Sequence, residues 1–272
     1  MARVALVQMI SSTNVADNLQ TVERLMIQAR EEGAQLVVLP ENFSFMGKNE
    51  TDKFQIAEVF GQGPIQENIS MLAKKMGLWI IAGTIALKGE GTRVRASSLV
   101  YDEQGACVAR YDKIHLFDVS VSPQETYKES ASIERGNELV VVATPIGTIG
   151  LSVCYDLRFP ELYHQLLNRG AELFTVPSAF TAVTGRAHWD VLLRARAIEN
   201  LSYVLAPNQG GHHDNGRATF GHSMVVDPWG RVLAQREEGV GVVTADIDLQ
   251  GLHHLRKTFP VVDHHVLNLK GN

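Results

Sequence analysis

The chain has 272 residues, 45% of them hydrophobic and 20% charged, which supplies a large core and excludes a disordered, collagen-like or coiled-coil chain. Twenty-five Lys and Arg against 30 Asp and Glu leave a formal charge of -5 with no basic stripe for phosphates, so no nucleic acid is expected as a partner. Two cysteines, Cys107 and Cys154, cannot build a disulfide framework, and neither a secretory leader nor an apolar run of membrane length is read, so no membrane partner is expected and a soluble, cytoplasmic protein is.

In chain order, residues 4–9 read as a short buried strand. Residues 17–32 place Leu19, Val22, Leu25, Met26 and Ala29 at helical spacing, with Asp17 or Asn18 as cap and Gly33 as stop. A strand over 35–39, a helix over 65–75 and a strand over 78–87 follow. Residues 97–101 and 107–111 form a hairpin turning at DEQG, with Cys107 in the core. Strands over 148–154, 172–176 and 202–206 alternate with helices over 160–169 and 187–200, and DPWG at 227–230 turns a second hairpin. Strands joined through helices beside strands joined by hairpins predict an α/β fold with mixed pairing. Residues 1–272 carry no repeat, low-complexity tract or linker, so one domain is expected.

Three reactive side chains fall just beyond predicted strand ends: Glu41 after QLVVLP, Lys113 after CVARYD, and Cys154 at the end of TIGLSVC. That edge is where ligands bind in open α/β sheets. Pro160 opens the next helix and leaves only Tyr155 to Phe159 for the bend, so Cys154 projects from a tight turn and the Tyr155 N–H is an oxyanion donor. A thiol needs a base, which Glu41 supplies, and an ammonium such as Lys113 stabilises a thiolate or oxyanion. Each residue alone has a bland reading, as core thiol, strand cap or solvated cation. Together they describe an amide hydrolase.

These residues resemble the nitrilase superfamily of carbon-nitrogen hydrolases over nearly the whole chain. Glu41 stands in LPENF, Lys113 in YDKIHLFD and Cys154 in VCYDLRFPEL, in the family's order. The resemblance implies that Glu129, in TYKES, is a second catalytic glutamate that orients the lysine and the substrate amide. It also implies a four-layer α-β-β-α sandwich that forms a homodimer or higher oligomer through helices, and no cofactor. The segments TGRAHWDVLLRARAIEN, GHSMVVDPWG and GGHHDNGRATFG resemble the branch of omega-amidases and deaminated glutathione amidases. The implied substrate, with water, is a small amide whose acyl part carries a carboxylate; alpha-ketoglutaramate, another small amide or a nitrile are alternatives. One departure is Ala96, with Arg95 and Ser97 beside it, where members often carry Asn.

Six of the ten histidines come as adjacent pairs, which point apart and read as surface rather than as metal ligands. A nucleotide cofactor has no motif. A Cys154–His188 dyad is the mechanistic rival, although His188 at a helix start reads as structural or pocket-lining. Arg158 and Glu161 read as a local ion pair. Arg186 and Arg217 read either as ligands of a substrate carboxylate or as solvated surface. A catalytically silent relative that binds a metabolite or protein partner is the competing class, and the joint presence of base, cation and thiol argues against it.

Overall fold

A computed structural model describes residues 2–122 and 125–266. The strands are β1 (Ala2–Gln8), β2 (Leu36–Val38), β3 (Trp79–Lys88), β4 (Val94–Tyr101), β5 (Cys107–Asp112), β6 (Asp118–Ser122), β7 (Glu125–Lys128), β8 (Val141–Thr144), β9 (Gly147–Leu151), β10 (Leu173–Thr175), β11 (Tyr203–Ala206), β12 (Gly210–His212), β13 (Ala218–Phe220), β14 (Ser223–Val226), β15 (Val232–Arg236) and β16 (Gly241–Ile247). The helices are α1 (Val15–Glu31), α2 (Pro64–Met76), α3 (Pro160–Asn168), α4 (Ala182–Asn200) and α5 (Leu249–Thr258). None is long and apolar enough to cross a membrane.

Two six-stranded sheets form, in the orders β16-β1-β2-β3-β4-β5 and β15-β14-β11-β10-β9-β8. Each has a parallel centre and antiparallel edges, which is the mixed pairing that helices and hairpins together predict. Side-chain alternation sorts the layers. On β1 and β2, Val4, Leu6, Leu36 and Val38 join a core shared with the second sheet, α3 and α4, while Ala5, Val7, Val37 and Leu39 join a core shared with α1 and α2. Helices therefore cover the outer face of each sheet and the sheets face each other, an α-β-β-α sandwich.

Local chemistry sets the helix starts. Asn14, not Asp17 or Asn18, caps α1, its Oδ1 accepting from Ala16 N at 2.9 Å. Asn18 is instead buried and ties the chain to Ser12 and Ser44. The Glu58 carboxylate accepts the N–H groups of Ile65 and Gln66 at the start of α2, where the helix dipole favours an anion. The last long helix, α4, starts at Ala182 under a Thr181 cap, five residues before the sequence-based start.

Two other expectations are corrected. Cys107 is exposed rather than core, because it opens β5, the edge strand of its sheet. His213 is buried rather than on the surface: it joins Ser11 O to Thr219 Oγ1 and so pins the β12–β13 hairpin to the loop after β1.

Candidate active site

Strand β9 ends at Leu151, and Cys154 follows on a 3-10 turn with φ +50°. A left-handed backbone costs a non-glycine residue about 1–2 kcal/mol. Asp156 holds the turn in place. Fully buried, it accepts from Val153 N at 2.8 Å, Tyr111 OH at 2.7 Å and His115 N at 3.0 Å. Its contact with His115 Nδ1 at 2.7 Å makes that nitrogen the protonated one, since a carboxylate only accepts. Asp156 thus fastens the Cys154 turn to the segment that carries Lys113. At the other side, Glu41 precedes Asn42, which has φ +57° and donates its N–H to Thr84 Oγ1. The Glu41 carbonyl accepts from Gln209 Nε2 at 3.0 Å.

These anchors bring the charged groups together in the interior. Lys113 Nζ lies 2.8 Å from Glu41 Oε1 and 2.9 Å from the Glu129 carboxylate, with Lys113 only 2% exposed. Glu129 is itself oriented, its Oε2 accepting from Phe117 N at 2.7 Å. Glu41 Oε2 accepts from Ala179 N at 2.9 Å, and its carboxyl meets the Cys154 thiol. The cluster holds one ammonium against two carboxylates. Burial alone raises the Glu41 carboxyl, but the Lys113 charge and hydrogen bond outweigh it, with Cys154 and Arg217 helping, so the group is held below its ordinary value. Burial likewise opposes the Lys113 charge, and Glu129 and Glu41 reverse that, holding the ammonium well above its ordinary value. Burial and the Glu41 carboxylate push the Cys154 thiol far up, against the smaller pull of Lys113. The resting site is therefore thiol, carboxylate and ammonium.

A cleft reaches this cluster. A wide vestibule of about 650 Å³ narrows to a neck of about 40 Å³ at Cys154, and Asn42, Glu50, Lys53, Tyr127, Glu129 and Arg217 line both. Tyr155 lines the neck, on the first turn of the 3-10 segment, where backbone N–H groups precede any partner within the turn.

The other sequence-based candidates separate. Arg217 lines the cleft, its Nη2 donating to Ala179 O at 2.6 Å and its guanidinium lying 5.1 Å from the Tyr127 ring centre. Arg186 and His188 are exposed on α4 and line neither part of the cleft. His188 lies two turns inside that helix rather than at its start, and its Nδ1 meets Arg158 Nη1 at 3.2 Å. Arg158 forms no ion pair with Glu161 among the described residues. It packs over the Tyr155 and Phe180 rings at 5.7 and 5.4 Å and lines the neck. Lys53 and Asp156 are not among the sequence-based candidates, and Arg158 is there only as an ion-pair partner of Glu161. Only Asp156 carries a local signal, an acid two residues after the thiol in VCYDLR. Among the described residues, no group of three His, Cys, Asp or Glu side chains could hold a metal ion.

The profile of the family described as carbon-nitrogen hydrolase matches residues 3–257. The chain belongs to that family. The deaminated glutathione amidase of Yersinia enterocolitica is 42% identical to this carbon-nitrogen hydrolase over 266 residues, covering 97% of this chain and 92% of that protein. The human deaminated glutathione amidase is 43% identical over 274 residues, covering 99% and 84%. The crystal structure of the Caenorhabditis elegans NitFhit protein is similar at a TM-score of 0.91 and 40% identity, over 98% of this chain and 66% of that one. The sandwich is that of the nitrilase superfamily, and the protein is an amidase acting on carbon-nitrogen bonds other than peptide bonds.

Proposed function

We propose that this amidase hydrolyses deaminated glutathione, an amide whose acyl part ends in an α-keto carboxylate, through a thioester on Cys154. The carrying observation is the Lys113 ammonium held between Glu41 and Glu129 beside a buried thiol at the end of the cleft. As Cys154 sulfur attacks the amide carbon, its proton passes to Glu41. Lys113 and the Tyr155 N–H stabilise the oxyanion. Glu41 then gives the proton to the leaving nitrogen, the carbon-nitrogen bond breaks, and the thioester remains. Glu41 next takes a proton from water, the hydroxide attacks the thioester carbon, and the acid leaves as the thiol is restored. Glu129 positions Lys113 and the amide.

Support for the substrate comes from the relatives' names and from the cations of the neck, where Lys53, Arg158 and Arg217 line the space next to Cys154. A protein of charge -5 draws no anion from afar, so a local cation has to hold the carboxylate. Arg186 lies outside that space. The reading extends to a single working domain over 1–272 and to a homodimer in a reducing compartment; two free cysteines and outward apolar side chains on α4, Val183, Val191 and Ile198, support the last two. The test is to mix purified protein with deaminated glutathione, measure released cysteinylglycine and 2-oxoglutarate, and trap the acyl group by mass spectrometry. An acyl adduct on Cys154 with both products is expected. Turnover without a Cys154 adduct, or with equal rate in Cys154→Ala, overturns the reading.

A further inference from the structure

The vestibule has one wall built from unusually small side chains. Ala86 on β3 and Ala96 on β4 stand directly opposite each other in the antiparallel register, and both line the vestibule. Directly paired residues project to the same face of a sheet, so the two methyl groups leave one shared hollow. Its rim is apolar: Ile56, Ile85 and Ile133 line the same space, and Ala96, Ala86 and Ile133 pack in one cluster. Ala86 and Ala96 line the vestibule alone, Asn42 and Glu129 line vestibule and neck alike, and Tyr155, Arg158, Phe180 and Thr184 line the neck alone.

The chemistry decides which end of an amide faces the hollow. Glu41 has to protonate the leaving nitrogen inside the neck. Of the three cations named above for the acyl carboxylate, Arg158 alone lines the neck without lining the vestibule, so with the carboxylate on Arg158 the acyl group extends past Cys154 into the neck and the amine faces the vestibule. The geometry points to the Ala86–Ala96 hollow as the subsite for the leaving amine, fitted to an amine of peptide size bearing a small apolar or thiol side chain rather than to ammonia. This assignment rests on the Cys154 reading above and adds the residues that set leaving-group size.

Two substrates with one acyl group isolate the effect. Deaminated glutathione releases a dipeptide; alpha-ketoglutaramate releases ammonia. Ala96→Leu and Ala86→Leu are each expected to lower kcat/KM for the dipeptide amide by about tenfold or more, and to change it for the primary amide by less than about threefold. Primary-amide turnover also shows that each variant is folded. If the two substrates change together, or neither changes, the hollow is not the leaving-group subsite. Cys154→Ala separates the two levels: if it still hydrolyses the primary amide, the site reading fails, and if it is inert while the leucine variants do not discriminate, only the hollow fails.

Discussion

Cys154 rests as a thiol, because a cluster with one ammonium and two carboxylates has no net positive charge with which to hold a thiolate. The base therefore has to act during attack, and removing it costs rate rather than binding. Glu41→Gln is expected to lower kcat by at least about a hundredfold in steady-state assays, and Cys154→Ala to abolish it. Lys113→Ala carries a second cost. It leaves the buried Glu41 carboxylate facing the partly buried Glu129 carboxylate with no cation between them, so chemical denaturation is expected to show a loss of about 3–5 kcal/mol as well as lost activity. The pH dependence has a definite sign. Glu41 is depressed in the folded chain, so its contribution to stability is present above the unfolded value and is lost as pH falls through the folded one. The same carboxyl is the base, so the acid limb of kcat/KM is expected below 4.5, and the alkaline limb from Cys154 above 9.0. An acid limb above 4.5 in a pH-rate profile would show that Lys113 does not hold Glu41 ionised. Glu41, Lys113 and Cys154 were legible in sequence because each follows its strand directly. Arg158 was not, since its place in the neck depends on the rings of Tyr155 and Phe180 meeting from separate segments.

The elements that carry these residues meet at close quarters. Gly83 interrupts the β3–β4 pairing beside Pro40, and a Cβ there would lie 1.9 Å from the Pro40 carbonyl oxygen. Gly83→Ala is therefore expected to push the Pro40–Glu41 segment away, costing about 1–3 kcal/mol in denaturant unfolding and lowering kcat with it. Loss of stability with unchanged kcat would separate that strand from the positioning of Glu41. The runs that made β1, β2, β3, β10 and β11 legible are apolar and buried on both faces. The start of α4 was misread because TAVTG holds β-branched residues and a glycine, all weak helix formers. There Thr181 caps the helix and Gly185 lies under the Phe220 ring, so tertiary packing outweighs propensity. The β6–β7 hairpin was missed for a related reason: DVSVS is polar, and its strands pair only with each other.

At the scale of the whole molecule, the four layers leave an outer face on α4 where Val191 is 65% exposed, with Ile198 two turns on along the same side of the helix. The Trp229 and Phe259 rings, 5.6 Å apart, are also exposed. A homodimer through this face is expected to give twice the chain mass by light scattering at micromolar concentration, and Val191→Glu to give the mass of one chain. An unchanged mass in the variant would place the contact elsewhere.

The pairing of β1 with β16 joins Ala2 to Ile247 and Gln8 to Gly241. During synthesis β1 leaves the ribosome long before its outer neighbour exists, an interval on the order of tens of seconds at ordinary translation rates. Over that time one edge of an apolar strand presents unpaired N–H and C=O groups, the template on which nascent chains aggregate. The apolar β1 is thus covered only after the second sheet has been made, and a chain halted before Gly241 leaves β1 as the edge strand in place of the more exposed β16, however well its active-site residues are in place.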